Sequence, residues 1–278
     1  MTGDRYVWRK LSAAKWEDVW PERLSEFAEC LAITTLAGRP TIRIEVFGVS
    51  RADGERLTKA FGGKLAEQSR DVPLTVTKRK PINVRGRLSI ISSEAERASL
   101  RGNSPALLIP AGMAFGTGEH ATTLNCLRFL VDFARSKAGS DWRALDLGCG
   151  SGILALAARQ LGAKEVIAGD FDRECVRATR ENIRANGLRD VAVRKLNVLE
   201  WEPNSKFDLV SANLYSTILV AIAPKLTRSL APNGRLIFSG VMRDQEAEVA
   251  SAFKKARLKV TETKRQGKWV AGTATLNK

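Results

Sequence analysis

The segment Ala144-Leu-Asp-Leu-Gly-Cys-Gly-Ser-Gly-Ile-Leu-Ala-Leu-Ala157 constrains this chain more than any other. A short apolar run carries an acid, Asp146, glycines then alternate at 148, 150 and 152, and an Ala/Leu-rich helical pattern follows. Glycine there permits positive φ and lets a ligand approach the main chain closely. The next apolar run ends Val166-Ile-Ala-Gly-Asp170, so a second acid stands 22 residues beyond Gly148, at the tip of the following strand. A carboxylate in that place can accept hydrogen bonds from ribose hydroxyls. A glycine loop after a strand is also compatible with a tight turn that binds nothing; the spaced Asp170 argues for a ligand.

From about residue 87 onward the same alternation repeats. Strand-like runs occur at Arg143–Leu147, Glu165–Gly169, Ala192–Leu196, Phe207–Ala212 and Leu236–Ser239, with helical stretches at 120–137, 153–162, 173–186, 215–230 and 243–256. Near-continuous apolar strands between helices predict a doubly wound, mostly parallel sheet with helices on both faces. Leu258–Lys264 and Lys268–Thr275, joined at Gln266-Gly267, predict an antiparallel hairpin at the sheet edge. Before this lies a different pattern. Tyr6–Leu11 and Thr41–Phe47 read as strands, Lys15–Leu31 as an amphipathic helix and Ala52–Phe61 as a helix stopped by Gly62-Gly63. The expected fold class is therefore α/β, a Rossmann-like domain at 87–278 preceded by a small α/β domain at 1–70, with a basic connector at 71–86.

Composition removes whole chemistries. With one histidine, His120, the chain cannot build an HExxH helix or a His₃ metal cluster. Its 4 cysteines, at 30, 126, 149 and 175, have no CxxC spacing and form no disulfide framework. The start lacks the layout of a signal peptide and no apolar run reaches the roughly 18 residues of a membrane helix, so the expectation is a cytoplasmic protein with no membrane contact and no metal. The net charge of +15 is unevenly placed: residues 111–190 are nearly neutral, whereas Lys78-Arg79-Lys80, Arg85, Arg87 and the last third hold the excess. Such a surface suits a polyanion such as RNA, and equally suits a solvated face.

The glycine spacing selects among ligands. Dinucleotide binding uses G-x-G-x-x-G, but the position two residues past the Gly150-Ser151 pair is Ile153; the spacing here is G-x-G-x-G. Asp146 would also repel a pyrophosphate. A ligand with a ribose, no phosphate and a cationic centre fits better, and S-adenosylmethionine is one.

Asp146-Leu-Gly-Cys-Gly-Ser-Gly152 resembles the first motif of class I S-adenosylmethionine-dependent methyltransferases. Pro110-Ala-Gly-Met-Ala-Phe-Gly-Thr-Gly-Glu-His-Ala-Thr-Thr123 resembles the signature of the ribosomal protein L-eleven methyltransferases, the PrmA family. The likeness continues through Gly169-Asp-Phe-Asp172, Glu181-Asn-Ile-Arg-Ala-Asn186, Ser211-Ala-Asn-Leu214, Arg235-Leu-Ile-Phe-Ser-Gly240 and Gly267-Lys-Trp-Val270, and so spans roughly 85–278. The chain departs from that family in having Glu119-His-Ala where Thr-His-Pro is common, and Tyr215 where a small or aliphatic residue is common. The N-terminal region matches the family's substrate-recognition domain only by position and size.

The resemblance implies S-adenosylmethionine as cofactor, held by Thr123, Gly148, Asp170 and Asn213, with Asp146 and Gly150 in the same loop. Phe115 would act as a lid and Asn197 would approach the adenine edge. Asn213 would also position the accepting amine, or else cap the helix that follows. His120 reads as structural or cofactor-orienting rather than as a base, and Cys149 as a packing residue. The implied activity is N-methylation of lysine ε-amino or N-terminal α-amino groups of ribosomal protein L-eleven, free or on the ribosome, by a monomer whose basic surface contacts ribosomal RNA. The alternatives are methylation of RNA or of another protein, and a cofactor-binding module without catalysis. Asn213-Leu-Tyr-Ser lacks the prolines of the Asn-Pro-Pro-Tyr motif of adenine and glutamine N-methylases, which ranks that alternative lower.

Overall fold

A computed structural model describes residues 6–17, 20, 23–36, 40–67, 81–100, 104–110 and 118–277. Contacts divide the chain into two compact units, Met1–Thr77 and Lys78–Lys278.

In the first unit, β1 (Tyr6–Ala13), β2 (Leu31–Thr35), β3 (Thr41–Val49) and β4 (Lys64–Glu67) form an antiparallel sheet in the order β2-β3-β1-β4. The alternation Ile42, Ile44, Val46 puts three fully buried side chains on one face of β3. Helix α1 (Arg51–Phe61) starts at Ser50, whose hydroxyl accepts from the Asp53 N–H at 3.1 Å, and stops at Gly62, where φ is +70°. Trp8, Trp20 and Phe61 pack with ring centroids 5.6–6.5 Å apart, and both indole N–H groups are satisfied, by Gly62 O and Ser12 Oγ. Among the described residues the helix expected over 15–31 is not continuous: Trp20 and Arg23 are helical, but the stretches on either side are not α-helix. Its described residues hold two 3-10 segments, Ala14–Trp16 and Ser25–Cys30, with non-helical dihedrals at Phe27. The apolar stripe is spent differently: Leu31 opens β2 opposite Val46.

The second unit carries the doubly wound sheet. Its strands are β8 (Arg143–Leu147), β9 (Glu165–Asp170), β10 (Val191–Lys195), β11 (Phe207–Asn213), β12 (Leu230–Met242), β13 (Leu258–Gln266) and β14 (Trp269–Leu276). Their order is β10-β9-β8-β11-β12-β14-β13, with the first five parallel and the C-terminal hairpin antiparallel. The chain runs outward from β8 in one direction and then, from β11, in the other. The crevice between the carboxyl ends of β8 and β11 is thus the topological switch point, where open α/β sheets bind ligands.

Helices α3 (Ala121–Ser136), α4 (Ile153–Gln160), α5 (Arg173–Ala185), α6 (Ser216–Ser229) and α7 (Glu246–Lys255) cover the sheet. Residues Ile153–Ala158 of α4 are buried all round, which explains their unbroken Ala/Leu composition. Three short strands also stand where none was expected. β5 (Ile82–Val84), β6 (Leu88–Ile91) and β7 (Ala106–Leu108) form a second sheet, with the short helix α2 (Glu94–Arg97) between β6 and β7, and β5 falls within the stretch read as connector.

Candidate functional site

The glycine loop is sewn to the end of the neighbouring strand. Gly148 and Cys149 donate their N–H groups to Gly169 O at 2.8 and 3.1 Å. Asp170, buried, accepts from the Gly150 N–H at 2.9 Å and from the Asp172 N–H at 3.1 Å, one bond to each carboxylate oxygen. A carboxylate has about four lone-pair positions, so acceptor capacity remains for ribose hydroxyls. Gly148 has φ +72°, and a Cβ there would overlap the side chain of Leu214. The positive φ is what asks for glycine there, and the Leu214 side chain packs into the space a Cβ would take.

Helix α5 supports the loop from below. Thr179 Oγ1 donates to Gly150 O at 2.9 Å and Asn182 Nδ2 to Ser151 O at 2.8 Å. Asn186 bonds both main-chain groups of Leu108, tying in β7. Asn182 and Asn186 lie four apart on one helix face. That spacing was the available signal for residues the sequence reading left without roles.

Asp146 is buried with only half of its carboxylate satisfied. Oδ1 accepts from Ser211 Oγ at 2.6 Å, while Oδ2 has no partner. Burial pushes its pKa up to about 7 and Asp170 adds to the rise; the Ser211 hydroxyl opposes it, as does the Ala155 N–H, which faces the carboxylate outside hydrogen-bond geometry and so leaves Oδ2 unpartnered. An orphan buried carboxylate beside a glycine loop fits a ligand with a cationic group, and opposes a pyrophosphate.

Asn213 is the last residue of β11. Its Nδ2 lies 3.4 Å from Thr122 Oγ1 and 3.5 Å from Thr123 Oγ1, both on the first turn of α3, which leaves Oδ1 to accept. It does not cap α6, whose N-cap is Tyr215. His120 caps α3, with Nδ1 2.7 Å from Thr122 Oγ1 and its ring edge-on to Trp269 at 5.2 Å. Burial, and then the Lys268 cation, lower its pKa and favour the neutral imidazole. A relay from His120 through Thr122 to Asn213 thus fixes the amide.

Not every expected residue joins the cluster. Asn197 is exposed after β10 and its Oδ1 accepts from the Leu199 N–H at 3.1 Å, so its side chain serves a turn. Phe115 lies outside the described residues. Cys149 is buried against Thr179, 3.4 Å away, and burial raises its thiol pKa far above the nucleophilic range. A cavity of about 770 Å³ lies at the opposite end of the sheet, where Arg143–Glu165, Lys137–Asp208 and Arg159–Asp190 pairs line or flank it. Those charges are neutralised by one another. Among the described residues no group of three His, Cys, Asp or Glu side chains is placed to hold a metal, and no helix is long and apolar enough to cross a membrane.

Comparison with known proteins bears on the same elements. The family model described as "Ribosomal protein L11 methyltransferase (PrmA)" matches residues 74–276. The ribosomal protein L11 methyltransferase of Citrifermentans bemidjiense is 40% identical over 192 residues, 68% of this chain and 61% of that protein. Its counterpart in Pelobacter propionicus is 40% identical over 193 residues, 69% of this chain and 62% of its own. The chain thus matches less than two thirds of the length of these relatives. Among solved structures, the ribosomal protein L11 methylase of Lactobacillus delbrueckii subsp. bulgaricus superposes with a TM-score of 0.63 at 30% identity, covering 72% of this chain and 100% of that one.

Proposed function

The chain belongs to the ribosomal protein L11 methyltransferase (PrmA) family, and from that membership we propose that it is an S-adenosylmethionine-dependent protein N-methyltransferase. Its substrates are lysine ε-amino and N-terminal α-amino groups of ribosomal protein L11. The observation that carries this reading is the unpartnered, buried oxygen of Asp146 beside the glycine loop, at the switch point of the sheet.

When bound, the cofactor supplies an electrophilic methyl group on a sulfonium centre. Asp170 takes the ribose hydroxyls, Gly148 and Gly150 receive the amino-acid end, and Asp146 answers its positive charge. Asn213 serves the acceptor. Its Oδ1 would take a hydrogen bond from an N–H of the incoming amine and so aim the nitrogen's one lone pair, with Thr122 and Thr123 fixing the amide. A lysine amine, with a pKa of about 10.4 in water, must shed a proton before it can attack. Withdrawal from water favours the neutral amine, and alignment supplies much of the remainder. His120, held neutral, orients and need not accept a proton.

The N-terminal unit is assigned to substrate recognition, with a cavity of about 430 Å³ lined by Tyr6, Arg51, Glu55, Thr58, Leu65 and Glu67 as its concave feature. Lys254, Lys255, Arg257 and Lys259 crowd the end of α7 and the start of β13, the edge strand, and would meet ribosomal RNA. A cytoplasmic monomer suits this role. Incubation with methyl-labelled S-adenosylmethionine, L11 and ribosomal RNA tests the reading: label enters L11, and label entering RNA instead refutes it.

A further inference from the structure

Tyr215 stands two residues beyond Asn213 and is 75% exposed. An aromatic ring so exposed contributes nothing to the core, yet its main chain is held firmly. The preceding Leu214 N–H donates to Ser239 O at 3.0 Å, and Tyr215 O accepts from the Ile218 and Leu219 N–H groups, both at 3.0 Å. Gly240, with φ +84°, lies against the main chain of Leu214, where a Cβ would overlap it. Three consecutive residues therefore take three directions: Asn213 toward Thr122 and Thr123, Leu214 toward Gly148, and Tyr215 into solvent.

Trp269, opposite Met242, is a second aromatic group at this end of the sheet, beside the His120 cap of α3. Its surface is already engaged, by His120 edge-on at 5.2 Å and by Lys268 Nζ 5.2 Å from the ring centroid. Tyr215 presents its ring to the bulk two residues beyond Asn213, where the strand gives way to α6 at the carboxyl end of the sheet. An alkylammonium group is the ligand that a tyrosine face recognises without a hydrogen bond. Each methyl added to an amine strengthens that contact, because it removes a donor that water would have satisfied and adds apolar surface.

Resting on the proposed amine-methylating activity, we propose that Tyr215 is a specificity residue for the acceptor: its ring packs on the alkylammonium of the incoming side chain and retains amines already carrying a methyl group for further transfer. The step itself is unchanged. The alkylammonium first gives a proton to water; the freed nitrogen lone pair then forms the new N–C bond while the C–S bond breaks with its electron pair passing to sulfur.

The test compares wild type, Tyr215→Phe and Tyr215→Ala with purified L11 as substrate. It reads KM and kcat for the first methyl, the distribution of mono-, di- and trimethylated product by intact mass, and cofactor affinity by calorimetry. Tyr215→Ala is expected to raise KM for L11 by about threefold to tenfold and to accumulate under-methylated product. Tyr215→Phe should restore the wild-type pattern, and cofactor affinity should be unchanged in both variants, which also establishes that they fold. A wild-type KM and product ladder in Tyr215→Ala overturns the inference, as does a Phe variant as defective as Ala. Absence of transfer to L11 by the wild type overturns the functional reading, and this inference with it.

Discussion

Asp146 holds the strongest unmet electrostatic demand among the described residues of the site, and its consequences can be measured. A carboxyl group whose folded-state pKa is near 7, against an ordinary value of 3.8, keeps its proton in the fold where the unfolded chain has lost it. Its contribution to stability therefore falls as pH rises from about 4 through 7, and is flat below that window. A cationic ligand reverses the preference. Cofactor binding should tighten as pH rises toward 7, with proton release visible as a buffer-dependent calorimetric enthalpy. Asp146→Asn should abolish that dependence; a wild type with pH-independent affinity and no proton release contradicts the assignment. Asp170→Ala removes a charge-assisted acceptor and loosens Gly150 together. Cofactor affinity should drop by about 1.5–3 kcal/mol, and an unchanged dissociation constant in calorimetric titration would count against the ribose assignment. Both acids were legible from the sequence because glycine spacing and strand ends fix them locally. Ser211, which bonds Asp146 across 65 residues of chain, was not. A cross-strand partner leaves no trace in spacing until register is known.

Elements set how rigidly these residues are presented. The loop's underside hangs on α5, and Asn186 alone bonds Leu108 N, Leu108 O and Asn182 O at 2.7–2.8 Å. Asn186→Ala leaves partly buried main-chain groups unpaired. A loss of about 1–3 kcal/mol in denaturant-induced unfolding is expected, with cofactor affinity falling in parallel. Gly240→Ala should be worse for function than for stability, since the clash is with the main chain of Leu214, next to Asn213. Kinetics with L11 should show kcat reduced by more than the cofactor affinity. Long helices and buried parallel strands were readable because their apolar periods persist for several turns or residues. β5, β6 and β7, of three or four residues each, are too short to carry a period. β12 begins at Leu230, earlier than expected, because the register shift between Phe207 and Leu209 admits the Pro232-Asn233-Gly234 turn signal into the strand. The helix read over 15–31 is interrupted at its described ends for the opposite reason: Leu31, which suits a helix stripe and a strand start equally, pairs with Val46 and opens β2 instead.

At the scale of the whole molecule, charge and chemistry are separated. The parallel sheet around the glycine loop is nearly neutral, and the cations gather at the β13 edge and the end of α7. Reversing Lys254, Lys255, Arg257 and Lys259 to glutamate should weaken association with ribosomal RNA and flatten its salt dependence, while cofactor affinity stays as in the wild type. Equal salt slopes for variant and wild type in a filter-binding assay would show that this edge is merely a solvated face. The doubly wound architecture was legible as a class. The order of strands, which makes β8 and β11 neighbours and so brings Asp146, Gly148 and Asn213 together, emerged only from the pairing. We propose that this sheet transfers methyl groups to amines of ribosomal protein L11. Intact-mass spectrometry of ribosomal proteins from cells with and without this protein tests it most directly. L11 should lose mass in whole methyl steps when the protein is absent and regain them on incubation with the purified enzyme and S-adenosylmethionine; an L11 mass identical in both cells, unchanged by that incubation, would contradict the account.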